Sequence, residues 1–357
     1  MSAQPVPPVP QAIQHELDFA VPAGLVARAF PGEGEPTFEP MPGGASTRRY
    51  FRVRLGAGTS PRAVAMFVPE GAKPEEVGNG HVAARWPFLE VRDLLVERGV
   101  DVPALLGDDS ARGWLLLEDL GDDTLAAFLV ANPDRREALY VRAVEDLARA
   151  QAALAALPAG SVVATRAFDE ELLRWEIDHF REWALEAQGI TLAADDRATF
   201  DAVADRLARR IAGWPRAFVH RDYQSRNLMV RAGDRLCWID FQDALLGPRI
   251  YDLVALLNDS YQTFDRAFVE ARLDDYARAR GLSGSERAEV GREFDLVTVQ
   301  RKLKDAGRFV FIDRVKHNPS FLRFVEPTIA KVFSSLARLQ DDPDMRALQG
   351  VLSRALR

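Results

Sequence analysis

One segment of the chain carries residues whose types and spacing point to chemistry. It covers residues 217–243, AFVHRDYQSRNLMVRAGDRLCWIDFQD. Within it, His220, Arg221, Asp222 and Asn227 match the spacing H-R-D-x-x-x-x-N, in which the aspartate takes a hydroxyl proton and the asparagine binds magnesium. The stretch LMV, RAGDR and LCWI predicts a tight hairpin, and a hairpin returns a second carboxylate, Asp240, to the loop that holds the first.

The chemistry that these residue types predict is transfer of a phosphoryl group. Such a transfer needs a divalent cation to neutralise phosphate oxygens, and Mg²⁺ prefers oxygen ligands, here the Asn227 amide and the Asp240 carboxylate. Asp222 is predicted to orient the attacking hydroxyl and to take its proton. His220 is interpreted as a brace of this catalytic loop rather than as the base. A lone H-x-D arises often by chance, whereas the full pattern is far more demanding.

The composition is that of a folded globular protein. The 357 residues suffice for about two structural units. A content of 47% hydrophobic and 28% charged residues argues against disorder. The formal charge of -7 gives no global attraction to nucleic acid or to anionic membranes. The single cysteine, Cys237, excludes an internal disulfide and a Cys-rich zinc cluster, and it suits the cytoplasm.

The elements that position these residues fall into two predicted lobes. A flexible Pro-rich lead over residues 1–14 shows no secretion signal, and an N-terminal, nucleotide-binding lobe follows over residues 15–120. There, TFEPMP, YFRVRL and AVAMFV predict a small β-meander. The range Trp86–Arg98 predicts an amphipathic helix, and WLLLEDL predicts a further short strand.

The C-terminal lobe, residues 122–357, is predicted to be mainly helical, with one small β insert that contains the H-R-D segment. Helices are predicted from Asn132 toward Pro158, from Asp169 to Gln188 and from Asp195 to Trp214, and the chain is helical again after Tyr251. No run of about 18 apolar residues predicts a membrane span.

These motifs resemble those of a known family. HRDYQSRN with Asp240, GGASTRRYFRV and LLLEDLGDDTL resemble the aminoglycoside phosphotransferase and choline kinase superfamily of small-molecule kinases. Within it, HRDYQSRNLM, IDFQDALLGPRIYDLVALL and QRKLKDAGRF are most similar to the kinases that phosphorylate the anomeric hydroxyl of N-acetylmuramate and N-acetylglucosamine. The resemblance covers roughly residues 20–340. It implies an α+β, two-lobed, protein-kinase-like fold with a small antiparallel sheet in the N-lobe and a mainly helical C-lobe.

The resemblance also implies ATP and Mg²⁺ as cofactors and assigns roles residue by residue. Asp222 is the implied base, and Asn227 and Asp240 are the implied metal ligands, with His220 beside them. A hinge over residues 117–121 meets adenine through its backbone. The implied nucleotide-binding residues are Gly43, Gly44, Ser46, Thr47, Arg49, Glu90, Leu117, Glu118, Asp119 and Leu120. The turn that begins at Gly43 departs from G-x-G-x-x-G, so backbone amides and hydroxyls must cradle the phosphates; a simple hairpin turn is the alternative.

A second departure concerns the phosphate-binding lysine of protein kinases. Phe67 stands where that lysine would end the third strand. Arg49, Arg52 and Lys73 are the candidates to replace its charge, and the sequence does not choose among them. Glu90 is the carboxylate that can hold such a cation, with a solvated helix charge as its alternative interpretation.

The predicted acceptor is a small neutral or anionic molecule, with no role for nucleic acid or membrane and with the oligomeric state left open. The candidate acceptor-binding residues are Gln224, Arg226, Gln242, Asp243, His179, Trp183 and Arg308. Arg226 suits a carboxylate, and Trp183 suits stacking on a sugar ring or, alternatively, a place in the core. Asp252 is expected to accept hydrogen bonds from the backbone of the catalytic loop rather than to contact substrate.

The hypothesis is therefore an ATP- and Mg²⁺-dependent sugar kinase of cell-wall amino-sugar recycling. A kinase of another small alcohol, such as an aminoglycoside, choline or another hexose, is one alternative. A nucleotide-binding pseudokinase, suggested by the missing lysine, is the other, although the intact Asp222, Asn227 and Asp240 argue against it.

Overall fold

The computed structural model describes residues 17–42, 48–56, 61–69 and 85–356. These residues divide into two compact units. The first comprises the described residues of Met1–Glu76 together with Val102–Asp123, and the second those of Val77–Asp101 together with Thr124–Arg357. The predicted lobe boundary at residues 117–121 stays a prediction. The helix at Pro87–Glu97, which the sequence assigns to the first lobe, lies in the second unit.

The first unit contains a five-stranded antiparallel sheet in the order β1-β2-β3-β5-β4. Its strands are β1 Pro36–Pro40, β2 Arg49–Leu55, β3 Pro61–Phe67, β4 Leu105–Asp109 and β5 Trp114–Glu118. The predicted meander and the predicted strand at WLLLEDL are confirmed. Strand β4 escaped prediction, because its sequence LLGDD has neither an apolar run nor an alternating pattern.

One face of this sheet packs on helix α1, Ala20–Ala29. Buried and partly exposed residues alternate along β2. Phe51, Val53 and Leu55 are buried and mark the face that packs on α1, while the residues between them are partly exposed. Val21, Leu25 and Val26 of α1 complete the same apolar cluster. The sequence did not predict α1, although this helix covers the core of the first unit.

The second unit is mainly helical, as predicted. Its helices are α2 Pro87–Glu97, α3 Leu125–Ala131, α4 Arg136–Ala153, α5 Glu170–His179, α6 Ala194–Ala212, α7 Tyr251–Leu257, α8 Arg266–Ala279, α9 Gly284–Lys316, α10 Val325–Arg338 and α11 Pro343–Ala355. The 33-residue α9 contacts α5, α7, α8 and α10 and therefore lies in the interior of the unit. Among the described residues, no helix combines the length and apolar character needed to cross a bilayer.

The prediction of a single β insert was wrong, because the second unit contains two separate two-stranded sheets. Strands β7 Leu228–Arg231 and β8 Arg235–Trp238 form the predicted hairpin, with Leu228 opposite Trp238. Strand β6 Arg216–Val219 instead pairs with β9 Leu245–Pro248. The sequence LLGP of β9 is too short, and too rich in glycine and proline, to be read as a strand.

The predicted helix Asp169–Gln188 is interrupted. Helix α5 ends at His179 and continues as a π-helical segment, Phe180–Leu185, which is followed by a short 3-10 turn. Gly307 of α9 packs against the start of this segment, where a Cβ atom would lie 2.6 Å from the His179 carbonyl carbon and 2.8 Å from Phe180 N. The wide turn and α9 can approach this closely only because residue 307 has no side chain.

We therefore expect Gly307→Ala to destabilise the protein. The added methyl group overlaps backbone atoms that cannot move without shifting α5 or α9, and such overpacking costs about 1–3 kcal/mol. Chemical denaturation measures the loss. Gly291→Ala, on the same helix, is the matched control. A Cβ there meets only Arg266 Nη2 at 3.9 Å, so alanine should be neutral or stabilising by up to about 1 kcal/mol. Equal stability of the two variants would contradict this account of the contact.

Candidate active site

The predicted catalytic loop, residues 220–227, is anchored by a buried carboxylate. Asp252, in the first turn of α7, accepts the backbone N–H of His220 at 2.7 Å and that of Arg221 at 3.0 Å. The prediction that Asp252 binds this backbone is confirmed. Burial raises the pKa of Asp252 to about 7, and the two N–H donors act in the opposite direction. Arg221 has a φ of 76°, a left-handed conformation that a non-glycine residue adopts only under local constraint.

His220 lies inside this anchor. Its ring is fully buried and packs against the rings of Tyr223 at 5.8 Å and Trp238 at 5.7 Å. Burial lowers the pKa of His220 to about 4, so the imidazole is neutral at physiological pH. A buried, neutral ring between two aromatic side chains is suited to bracing the loop.

Asp222 stands where the loop turns toward solvent. Its backbone carbonyl accepts hydrogen bonds from Gln224 N and from Asn227 Nδ2, both at 2.8 Å. These bonds close the turn, and the Asp222 side chain is left 43% exposed. The carboxylate is thus held by a fixed backbone and is still accessible to a small molecule.

The hairpin brings Asp240 to this loop, as the sequence predicted. Ile239 N donates to Asn227 O at 3.0 Å, which sets the residue before Asp240 directly opposite Asn227. Because Asn227 Nδ2 is bonded to the loop, the amide oxygen Oδ1 is the atom that can bind a cation. Asp240 is exposed and has a φ of 64°, a second left-handed non-glycine residue in the site.

Gln242 and Asp243, predicted to contact the acceptor, lie directly beside Asp240. Gln242 is buried, and its Nε2 donates to Asp240 Oδ1 at 2.9 Å and to Asp243 Oδ2 at 3.0 Å. The backbone carbonyl of Gln242 in turn accepts a hydrogen bond from Arg166 Nη1 at 3.0 Å. In this structure Gln242 therefore orients the Asp240 carboxylate. Sequence reasoning missed Arg166, which lies far from every motif along the chain.

Arg226 lies at the rim of the loop, as predicted for an acceptor-binding residue. Its exposed guanidinium stacks on the ring of Tyr261 at 3.7 Å. Tyr261 belongs to no sequence motif, so only the structure shows the pair. Gln224, also predicted at this rim, contributes its backbone N–H to the turn at Asp222.

His179, Trp183 and Arg308 are brought together by α5, the π-helical segment and α9. The His179 ring lies 5.5 Å from Phe311, and the Trp183 ring packs edge-on against Phe311 at 5.0 Å. The Arg308 guanidinium lies 4.8 Å from the same ring. Phe311 is thus the centre of the group, although sequence reasoning did not identify it.

Only part of the predicted nucleotide-binding set of the first unit lies in the described residues. Glu118, at the end of β5, has its backbone N–H bonded to Ala104 O at 2.9 Å. Asp119 forms an ion pair with Arg52 at 2.9 Å. Arg49 is the register partner of Phe67, so it shares a face of the sheet with the position that lacks lysine. The predicted residues Gly43, Gly44, Ser46 and Thr47, like Lys73, lie outside the described part of the chain.

Three further residues that were predicted to bind nucleotide lie in the described part of the chain. Leu117 is a buried residue of β5, and Leu120 follows that strand. Glu90 lies in the second unit, where its Oε1 accepts the backbone N–H of Val162. Its carboxylate is engaged with backbone and is not merely solvated.

The oxygen atoms at the loop suit a hard cation that takes most of its ligands from water and phosphate. In the part of the chain that the structure describes, no three His, Cys, Asp or Glu side chains cluster as a metal cage. Asn227 offers one amide oxygen and Asp240 one carboxylate. Mg²⁺ is typically bound by one or two protein oxygens together with phosphates and water, so these residues fit such an ion.

A partly exposed carboxylate on a braced loop, with an amide oxygen and a second carboxylate beside it, matches the arrangement that phosphoryl transfer requires. The chain belongs to the phosphotransferase enzyme family, whose model matches residues 37–289. It is a small-molecule kinase, as the resemblance implied, and membership implies use of ATP and a divalent metal ion.

The relatives are more specific. The chain is 33% identical over 333 residues to an N-acetylmuramate/N-acetylglucosamine kinase of Pseudomonas aeruginosa, with 88% of this chain and 90% of that protein covered. It is 34% identical to a kinase of the same name from Pseudomonas putida, with 82% of each covered. The fold is similar to that of a choline kinase from Cryptosporidium parvum, with a TM-score of 0.60, 12% identity, and 94% of this chain and 100% of that chain covered. The predicted kinase-like α+β fold is confirmed.

The Asp252 anchor yields a prediction about pH. The pKa of about 7 lies above the usual value of 3.8, so the folded protein holds a proton that the unfolded chain releases. Stability from this group is therefore fully present below pH 3.8 and is lost as pH rises through about 7. Asp252→Asn removes the titration, so the stability advantage of wild type should shrink by about 1 kcal/mol or more between pH 5 and pH 8. Denaturation of both proteins across this range provides the measurement, and a difference independent of pH would contradict it.

Proposed function

We propose that the protein is an ATP- and Mg²⁺-dependent kinase that phosphorylates the anomeric hydroxyl of N-acetylmuramate, N-acetylglucosamine or both. Its proposed role is cell-wall amino-sugar recycling in the cytoplasm. The observation that carries the chemistry is the single loop and hairpin that unite Asp222, Asn227 and Asp240. The identity of the sugar is supported by the name that both Pseudomonas relatives share, since the similarity to this chain covers most of each relative.

The chain's own residues account for the transfer. Asp222 orients the acceptor hydroxyl and takes its proton, while the acceptor oxygen forms a bond to the γ-phosphorus and the bond from that phosphorus to the bridging oxygen of ADP breaks. Asn227 Oδ1 and the Asp240 carboxylate would hold Mg²⁺, which when bound supplies positive charge for the phosphate oxygens. Gln242 keeps Asp240 oriented through its 2.9 Å hydrogen bond. His220 and Asp252 keep the loop in place from within the protein.

The first unit supplies the proposed contacts to the nucleotide. Since Glu118 N already donates to Ala104 O, the backbone of Asp119 and Leu120 is better suited to adenine. Of the candidate cations, Arg52 is paired with Asp119 and Asp122, each at 2.9 Å. Arg49 stands beside Phe67 and is therefore the residue that we assign to the phosphate charge.

The second unit supplies the proposed contacts to the sugar. The aromatic group of His179, Trp183 and Phe311 offers ring faces and edges of the kind that pack on sugars, with Arg308 next to it. Arg226, exposed on Tyr261, is suited to a carboxylate such as the lactyl acid of N-acetylmuramate. The positive charge of Arg226 on the loop favours a neutral or anionic acceptor over a polycationic one.

Substitutions of the two carboxylates, Asp222 and Asp240, should impair the enzyme in different ways. Asp222→Asn removes the proton acceptor, so kcat should fall by about 100-fold or more while the affinity for ATP with Mg²⁺ is unchanged. Asp240→Asn removes the negative charge of a proposed metal ligand, so affinity for ATP with Mg²⁺ should also fall, by about tenfold or more. Steady-state kinetics and calorimetry measure these effects.

The control for this pair is ATP binding in excess EDTA. Without metal, Asp240→Asn and wild type should bind the nucleotide equally. Unchanged turnover of Asp222→Asn would remove this residue from the mechanism, and unchanged metal-supported binding by Asp240→Asn would place the cation elsewhere.

The anomeric position of transfer is tested with blocked sugars. The 1-O-methyl glycosides of N-acetylmuramate and N-acetylglucosamine should be inert, because the attacking hydroxyl no longer exists. The free sugars should give an acid-labile glycosyl phosphate, identified by phosphorus NMR and quantified by coupled ADP release.

Two outcomes would overturn this assignment. Turnover of the methyl glycosides would move transfer to another hydroxyl, such as the one at C6. Turnover of kanamycin-type amines with no activity on either free sugar would exclude the amino-sugar function.

A further inference from the structure

Arg301 of α9 is a buried cation with no assigned role. Its side chain is 1% exposed. Its guanidinium lies 4.6 Å from the centre of the Tyr251 ring, which fixes its position. Within the described residues, none of its three guanidinium nitrogens has a hydrogen-bond partner. A buried guanidinium in this condition is costly unless a nearby negative charge compensates it.

Among the described residues, two carboxylates form ion pairs with Arg301 at less than 4 Å. Its Nε lies 3.9 Å from Asp305 Oδ2, and its Nη2 lies 3.5 Å from Asp222 Oδ1. Asp305 is already engaged, because the buried Lys302 donates to the same oxygen, Oδ2, at 2.8 Å. The nearer and less committed partner of Arg301 is therefore the carboxylate of the proposed base.

We propose that Arg301 is the positioning residue of Asp222. This proposal rests on the proposed function, in which Asp222 orients the acceptor. Arg301 holds Oδ1 toward the protein interior, and the other oxygen, Oδ2, is thereby presented to the acceptor hydroxyl. The distance of 3.5 Å is that of an ion pair, so Arg301 restricts the carboxylate through charge and not through a short hydrogen bond.

The restriction matters because the Asp222 side chain is 43% exposed, and solvent does not hold a carboxylate in one rotamer. A base that samples several rotamers spends less time within reach of the hydroxyl, and small misplacements reduce turnover strongly. Arg301 acts through Asp222, so removing Arg301 cannot cost more turnover than removing the carboxylate itself.

A double-mutant cycle tests this dependence. Arg301→Gln should lower kcat by about 10- to 100-fold, less than Asp222→Asn, with the acceptor KM and the nucleotide Kd changed less than about threefold. In the Asp222→Asn background, the same substitution should change kcat by less than about threefold, since there is no carboxylate left to position. Arg301→Lys, which keeps the charge, should recover part of the lost turnover.

The control is Arg272→Gln. Arg272 is also a buried arginine, with its Nε 2.6 Å from Asp275 Oδ2, but it lies on α8 outside the site. It reports the structural cost of losing a buried guanidinium, and its kcat should stay within about twofold of wild type. If Arg301→Gln does not fold, Arg301→Lys in the same cycle carries the test.

The result that would contradict the proposal is independent action of the two substitutions on kcat. If the Arg301 substitution lowers kcat as much in the Asp222→Asn background as in the wild-type background, Arg301 acts independently and the proposal is wrong. The cycle is run on whichever acceptor has the highest kcat/KM among free amino sugars, hexoses and aminoglycosides. If no amino sugar is phosphorylated, the proposed function is wrong. If an acceptor is phosphorylated but the Arg301 substitution lowers kcat equally in both backgrounds, the proposed role of Arg301 is wrong.

Discussion

The site depends on one buried interaction, the pair of hydrogen bonds that Asp252 accepts from the backbone of His220 and Arg221. The loop turns sharply at Arg221, whose left-handed backbone would relax without an external hold. Asp252 supplies that hold from α7, a short helix whose residues are all buried. Because the anchor sits on a packed element, the position of Asp222 follows from the packing of the second unit.

A second strained residue shows the same arrangement. Asp240 also has a left-handed backbone, and Gln242 donates to its side chain while Arg166 donates to the Gln242 carbonyl. At Arg221 the stabilising side chain comes from α7, and at Asp240 it comes from the neighbouring Gln242, whose backbone carbonyl is bound by the distant Arg166. Such strain is tolerated where surrounding contacts over-determine the geometry, and here it orients the two carboxylates of the site.

Helix α9 gives the second unit an unusual interior. It is buried along most of its length, yet it carries Arg301, Lys302 and Asp305 inside the protein. Buried charges are costly unless they are paired, and the pairs here link the helix to itself and to Asp222. The same helix carries Gly307, whose missing side chain admits the π-helical segment, and Phe311, which gathers the aromatic group. One helix thus connects the proposed base with the proposed sugar-binding residues.

The sequence by itself determined the chemistry and much of the framework. The spacing of Asp222, Asn227 and Asp240 reflects a local loop and hairpin, and local elements leave a pattern along the chain. Strands β2, β3 and β5 were predictable for the same reason, since their alternation or apolar character is a property of neighbouring residues.

Only the tertiary structure decided how distant residues complete the site. Arg166, Tyr261 and Phe311 lie in no motif, and although Arg301 lies in QRKLKDAGRF, that string assigns it no role. The contacts of all four come from packing between elements far apart in the chain. The partnership of β6 with β9 and the break after α5 escaped prediction likewise, since each depends on a neighbour supplied by the fold. Side-chain chemistry is written in the sequence, but the surroundings that orient a side chain are long-range contacts, and periodicity carries no information about them.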